Sequence, residues 1–292
     1  MRLSRVKSAE KDIKGYFDSL NQRVFLRKDI YEILAEKHRL WKIRKTISVD
    51  TFINQLMKMK LKELKLTSPN YDKTYARFIW GNDVPIYQLS LSLRPHSYLT
   101  HHTAMHLLGL TNQTSTTVYV NAEQSIKYDR EGELEQERID MAFKRKPRVS
   151  KYIFTYKHWN ICCLSGINTK KLGVEEINVF TEGELPTTNM ERTLIDIVVR
   201  PIYSGGCHEV LKAYQRAKDK VSVDLMVATL KKIKYIYPYH QAIGFYMQMA
   251  GFADSSLKQF KKFGIKYDFY LDYDMKKTKY SKEWRIYYPR GL

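Results

Sequence analysis

The sequence predicts an α+β protein. Helical periodicity dominates the part before residue 60, two strand-like runs follow at 63–66 and 75–80, and helices and strands recur in mixed order through the rest. At 292 residues the chain favours two domains. The change from a basic helical segment to a longer mixed one places the boundary after residue 82, giving domains over 1–82 and 83–292.

Composition narrows the classes of function. Apolar residues make up 43% and aromatics 13%, with 22 Tyr, enough to fill packed cores and too much for global disorder. Lys and Arg number 50 against 31 acids, a formal charge of +19. Such a surplus repels itself unless a polyanion or an acidic partner shares the field, and nucleic acid is the leading partner. No segment reaches the ~20 continuous apolar residues of a membrane span, and the first residues lack the pattern of a secretory signal, so a cytosolic protein is expected. Cys162, Cys163 and Cys207 are an odd number without a CxxC pair. They imply neither a disulfide framework nor a zinc knuckle, but reduced, mostly buried thiols.

The charge is concentrated at the N-terminus, where residues 1–82 hold 19 Lys/Arg and 9 Asp/Glu. Ser8 can cap a first helix whose apolar face is Ile13, Tyr16, Phe17 and Leu20. Leu26, Ile30, Ile33 and Leu34 give a second. Residues 37–47 exceed a tight turn, so an extra turn or short helix is expected there. Ser48 caps a third helix with a buried stripe of Phe52, Ile53, Leu56 and Met59. Its outer face carries Asp50, Thr51, Asn54, Gln55, Lys58 and Lys62. The two strand-like runs follow, joined by a Ser-Pro-Asn turn. Three helices and a basic hairpin are the order of a winged helix-turn-helix, in which the third helix enters the major groove. Asn54 and Gln55 are suited to adenine edges, and Lys58 and Lys62 to guanine or phosphate. Arg44 and Lys45 before the helix, with Lys65, Lys73 and Arg77 on the wing, suit the flanking backbone of double-stranded DNA.

In the larger segment, Ser97 is expected to cap a helix that ends at Gly109. Strands are expected at 118–120, 152–156 and 161–164, and the acidic run 129–140 as a solvated hairpin or loop, followed by the basic 144–148. Thr188 or Asn189 caps a helix bearing Leu194, Ile195, Ile197 and Val198. Pro201 closes that helix, and Gly205-Gly206 forms a turn before the next.

The paired signatures PHSYLTHHTAMHLLGL (95–110) and ERTLIDIVVRPIYSGG (191–206), in this order behind a basic helical segment, resemble the AbiEi family of antitoxins. YHQAIGFYMQMAGF and the last strands, YDFYLDYD and WRIYYP, also fit. The resemblance implies an autorepressor that binds inverted repeats in its own promoter through the N-terminal domain. It also implies a C-terminal domain that neutralises a nucleotidyltransferase toxin encoded alongside. It supplies no catalytic residues, and Glu191, Arg192, Thr193 and Asp196 stand at its most characteristic C-terminal motif.

Other readings remain. Glu191, Arg192 and Asp196 are near enough on one helix for an internal ion pair that also bonds a neighbouring turn. His101, His102 and His106 fall short of HExxH because Thr103 replaces the glutamate, so no metal is expected there. Asp268, Asp272 and Asp274, with Glu283, form the alternative: a metal-dependent nuclease or nucleotide-transferring enzyme, with Asp272 and Asp274 on a strand. A third reading is an interaction module for an acidic protein. Gly205-Gly206 lacks the GKS or GKT of a phosphate loop. Neither catalysis nor a cofactor is expected.

Overall fold

In the computed structural model, residues 3–126 and 133–292 are described; residues 129–132 of the acidic run lie outside them. The chain begins with α1 (Leu3–Ser8) and α2 (Glu10–Ser19), broken at Ala9, where φ is −94° and ψ 6°. Ser8 therefore ends a helix instead of capping one. The cause is apolar: Val6, Ala9, Ile13 and Phe17 form one buried stripe that carries the helical path back past Ser8.

A short strand β1 (Val24–Phe25) leads into α3 (Arg27–Lys37), and Ser48 caps α4 (Val49–Met57). The intervening 38–46 forms turns with no helix. It is pinned by buried Trp41 and Ile43 and by Ile43 N–H on the His38 carbonyl at 2.8 Å. The hairpin β2 (Leu61–Thr67) and β3 (Thr74–Trp80) follows.

The pairing register decides which face of the hairpin each residue occupies. Leu61 lies opposite Trp80 and Glu63 opposite Phe78, so Leu61, Phe78 and Trp80 point into the helical core. Leu64, Leu66 and Ile79 point the other way, into a core shared with Leu89, Leu99, Val118 and Phe154. Phe17 stacks on Trp80 at 4.7 Å, and the Trp80 indole N–H donates to Asp18 at 2.7 Å.

The chain continues through α5 (Ile86–Leu91), β4 (Tyr98–Leu99), α6 (His101–Leu107), β5 (Thr117–Asn121) and α7 (Gln136–Phe143). Tyr98 and Leu99 are strand, so Thr100, not Ser97, precedes the helix. Both side chains are fully buried, Leu99 pairing with Val120 of β5 on one side and with Thr187 on the other. Gly109 follows the helix at φ +68°, with Leu110 N–H on the Met105 carbonyl, the expected stop. The second part of the acidic run is α7, because Ile139 and Phe143 bury an amphipathic face. Next come β6 (Ile153–Tyr156), β7 (Trp159–Leu164), β8 (Val174–Val179) and β9 (Gly183–Thr188).

These strands form one nine-stranded mixed sheet in the order β1-β3-β2-β6-β7-β5-β4-β9-β8. The hairpin joins it through one pair, Thr67 opposite Thr155. A helical layer with its own core then follows: α8 (Met190–Val199), α9 (Gly206–Ala217), α10 (Val223–Ile233), α11 (Tyr239–Met249) and α12 (Asp254–Lys261). A small sheet of β10 (Phe269–Tyr270), β11 (Thr278–Ser281) and β12 (Ile286–Pro289) packs against these helices. Cys162, Cys163 and Cys207 are free and buried. Among the described residues no helix is long and apolar enough to cross a membrane.

Trp284 is fully buried against α11, and a Cβ at Gly244 would collide with its ring. Gly244→Ala should therefore destabilise the fold by about 1–3 kcal/mol despite the better helix propensity of alanine. Chemical denaturation measures this, and an equal or higher stability would refute the close packing of α11 on Trp284.

Candidate nucleic-acid interface

The geometry of α4 begins with its cap. Ser48 Oγ accepts the Thr51 N–H at 3.2 Å, satisfying one of the first-turn amides. Val49, Phe52, Ile53 and Leu56 are buried, which leaves Thr51, Asn54 and Lys58 exposed and Gln55 half-buried. Asp50 is held by Arg27 of α3 in a two-pronged contact at 3.0 and 2.9 Å. The acid nearest this face is thus neutralised within the protein. Arg44 and Lys45 are exposed just before the helix, and Lys65 and Lys73 on the hairpin. Among the described residues, Arg44, Lys45, Lys58, Lys65 and Lys73 form no ion pair. Lys60 behind them is committed to Asp18 at 2.7 Å.

Two expected contacts belong elsewhere. Lys62 is not on the helix: α4 stops at Met57 because Leu61 enters the strand pairing opposite Trp80. Lys62 stands on β2, exposed, and bonds Asn82 Oδ1 at 2.9 Å. Arg77 is buried. Its Nε donates to Ser92 Oγ at 2.8 Å, Nη2 to the Ser92 carbonyl and Nη1 to the Ala76 carbonyl, both at 2.7 Å. It occupies the same hairpin face as Ile79, which α5 and the following turn cover, so its guanidinium fixes the hairpin and does not face solvent.

A second cluster lies inside the larger segment. Asn189 Oδ1 caps α8 by accepting the Arg192 N–H at 3.0 Å. Arg192 and Asp196 form the expected ion pair, Nε to Oδ1 at 2.7 Å, with side chains 4% and 8% exposed. Arg192 Nη1 also donates to Thr169 Oγ1 at 3.0 Å and the Leu172 carbonyl at 2.8 Å, fastening the loop before β8. Glu191 accepts the Ser222 N–H at 2.8 Å and so fixes the start of α10, while Thr193 bonds Thr188 at 2.8 Å. Thr100 Oγ1 donates to Asp196 Oδ2 at 3.4 Å and shares a hydrogen bond with His101 Nδ1 at 3.1 Å. The two signature segments, 95–110 and 191–206, therefore meet at Thr100 and Asp196. Thr100 and Glu123 were not anticipated. Burial would raise the Glu123 carboxyl, but hydrogen bonds from Thr169 and the Lys171 N–H outweigh it and lower the pKa.

His101 is buried with its ring edge-on to Tyr203. The C-terminal carboxylates are dispersed. Asp268 pairs with Arg285, Asp274 with Lys276 and Glu283 with Lys261, while Asp272 lies beside Cys207. Asp272 and Asp274 follow β10 in bends instead of sharing a strand, because pairing with β12 ends at Tyr270 and Asp274 takes φ +49°. Among the described residues no group of three His, Cys, Asp or Glu could hold a metal.

Arg192→Met should cost about 3–5 kcal/mol by leaving Asp196 buried and unpaired, whereas exposed pairs of this kind contribute little. A loss below about 1 kcal/mol in urea unfolding would remove the pair from the core of the fold. His101 gives a pH signature. Burial pushes its pKa down to about 4 from an ordinary 6.5, so between these values the unfolded chain holds the extra proton. Stability is then lost as pH falls from 6.5 to about 4, by about 3 kcal/mol, and levels off below. His101→Asn, which tolerates the φ of +49°, should flatten that slope by one proton; an unchanged slope would assign the titration to another group.

No family model matches the chain, and no curated protein matches it. Among solved structures it is similar to the crystal structure of the RV2827C protein from Mycobacterium tuberculosis. The TM-score is 0.58 at 10% identity, over 96% of this chain and 91% of the other. The likeness extends to the overall mixed α+β fold.

Proposed function

We propose that the protein is a DNA-binding autorepressor whose N-terminal segment works as a winged helix-turn-helix. One observation carries the reading: α4 presents Thr51, Asn54 and Lys58 outward, flanked by Arg44, Lys45, Lys65 and Lys73, cations without an ion pair among the described residues. The element order from α2 to β3 supports it, as do the Ser48 cap and the neutralisation of Asp50. In this reading α4 enters the major groove, Asn54 and Gln55 read base edges, and the cations meet phosphates on either side. The target is an inverted repeat in the gene's own promoter.

The remainder, from 83 to 292, is proposed as an antitoxin domain acting against a nucleotidyltransferase toxin. The support is the resemblance of 95–110 and 191–206 to AbiEi antitoxins, together with their meeting in one buried polar cluster. Coexpression with the neighbouring gene product tests this half. Rescue of growth by the full-length protein is the expected result. A neighbour without toxicity, or a toxic neighbour that the full-length protein does not neutralise, would count against it.

Five free cations on phosphates predict a salt slope of roughly −4.5 per protomer, so raising salt fourfold should weaken binding by about 500-fold. Asn54→Ala with Gln55→Ala should lower discrimination against a scrambled repeat by about tenfold or more. Lys58→Ala or Lys65→Ala should weaken all duplexes alike. Arg77→Ala should lower the melting temperature while leaving the salt slope unchanged. Fluorescence anisotropy at several salt concentrations reads all of these. Equal affinity for scrambled and promoter DNA would end the specific-repressor reading.

A further inference from the structure

Residues 144–151, KRKPRVSK, hold five cations and no acid, and Lys144, Arg145, Lys146, Arg148 and Lys151 are all exposed. Among the described residues none of the five forms an ion pair. The segment belongs to the larger part of the chain, yet the fold brings it to the hairpin tip. Asn70 Nδ2 in the tip loop donates to the Lys151 carbonyl at 2.8 Å, and Tyr75 and Tyr152 share a hydroxyl hydrogen bond at 3.2 Å.

The register gives a direction. Thr155 pairs antiparallel with Thr67, so the chain running back from Thr155 to Lys151 follows the tip loop, where Asn70 holds it. Seven-residue β2 spans about 20 Å, and Lys151, the last cation of the basic segment, lies beside the loop at its far end. Both its ends are held. Phe143 is buried among aromatics, whereas Ser150 receives no freedom from its neighbours: its Oγ donates to the Cys163 carbonyl at 2.7 Å and its N–H to Tyr203 Oη at 2.8 Å. A cationic strap fixed at both ends loses little entropy on meeting a polyanion.

We infer that the strap 144–151 is a second duplex-binding surface, gripping phosphates beyond those reached by the hairpin. This deepens the DNA-binding reading and rests on it. The ligand is the sugar-phosphate backbone, met without sequence preference; the strap adds affinity and length of footprint, whereas α4 adds selectivity.

The test uses the full-length protein and the promoter duplex that it protects. One version is cut at the edge of the hairpin contacts; the other extends about ten base pairs further, roughly 34 Å of additional backbone. Wild type should bind the longer duplex at least tenfold more tightly, with a salt slope steeper by about 4. Lys144→Gln, Arg145→Gln, Lys146→Gln and Arg148→Gln together should abolish that preference while matching wild type on the short duplex. Four glutamines at the exposed Lys218, Lys220, Lys258 and Lys262 change the net charge equally and should retain the preference. A strap variant that keeps the length preference, or a control variant that loses it, overturns the inference while leaving the repressor reading standing. Wild type that protects no duplex overturns both. An unchanged melting temperature in the strap variant shows that its loss of binding is local.

Discussion

Phe78, Ile79 and Trp80 are buried one after another on a single strand, so both faces of β3 must be covered. That constraint organises the N-terminal half. Phe78 and Trp80 need the helices; Ile79, on the opposite face, needs the sheet and α5. Each of these side chains contributes about 1.5–3 kcal/mol by leaving water, so separating the basic helices from the larger segment would expose one face or the other. The hairpin is consequently a shared wall. Its fixed position sets where α4 lies, explains why Arg77 is internal, and brings β6 and the strap to its tip.

The larger segment depends on a different solution to the same problem of joining elements. Arg192 and Asp196 are charged and nearly solvent-free, an arrangement that costs desolvation on both sides. The cost is offset because their remaining hydrogen-bonding capacity is used: Thr169 and the Leu172 carbonyl take the Arg192 guanidinium, and Thr100 reaches Asp196. The first two come from the loop before β8, and the third from the junction of β4 and α6. The ion pair therefore specifies which loop, helix and strand meet, a task that apolar contacts perform with less geometric selectivity.

Local chemistry was legible in the sequence. Ser48 and Asn189 cap their helices because a side-chain oxygen beside three free amides acts without reference to distant chain, and Gly109 takes a positive φ for the same local reason. The Arg192–Asp196 pair was legible because both residues lie on one helix. What was not legible depended on distant partners. Ser97 looks like a cap until β4 claims Tyr98 and Leu99. Arg77 looks like a wing cation until Ser92 covers it. Lys62 continues the helical pattern only if Leu61 is free to stay helical, and Asp272 and Asp274 share a strand only if β10 follows β12 past Tyr270. The continuous apolar run Phe78-Ile79-Trp80 was the available signal that both hairpin faces are covered and that Arg77, in phase with Ile79, points inward.

The same partition explains how a modest charge excess becomes a localised field. Some of the acids are held by hydrogen bonds of the fold. At the surface Asp18 holds Trp80 and Lys60; further in, Glu123 holds Thr169, Glu182 receives the amides of Tyr87 and Gln88, Glu191 holds Ser222, and Asp196 holds Arg192. Buried and hydrogen-bonded carboxylates of this kind screen little of the surface beyond their own partners. Among the described residues, Arg44, Lys45, Lys58, Lys65, Lys73 and the five cations of 144–151 form no ion pair. A polyanion approaching these cations would release counterions without breaking an ion pair among the described residues. The +19 of the composition is thus less informative than its distribution: Glu182, Glu191 and Asp196 are taken up by the fold, while among the described residues cations without ion pairs stand at α4, on the hairpin and along the strap.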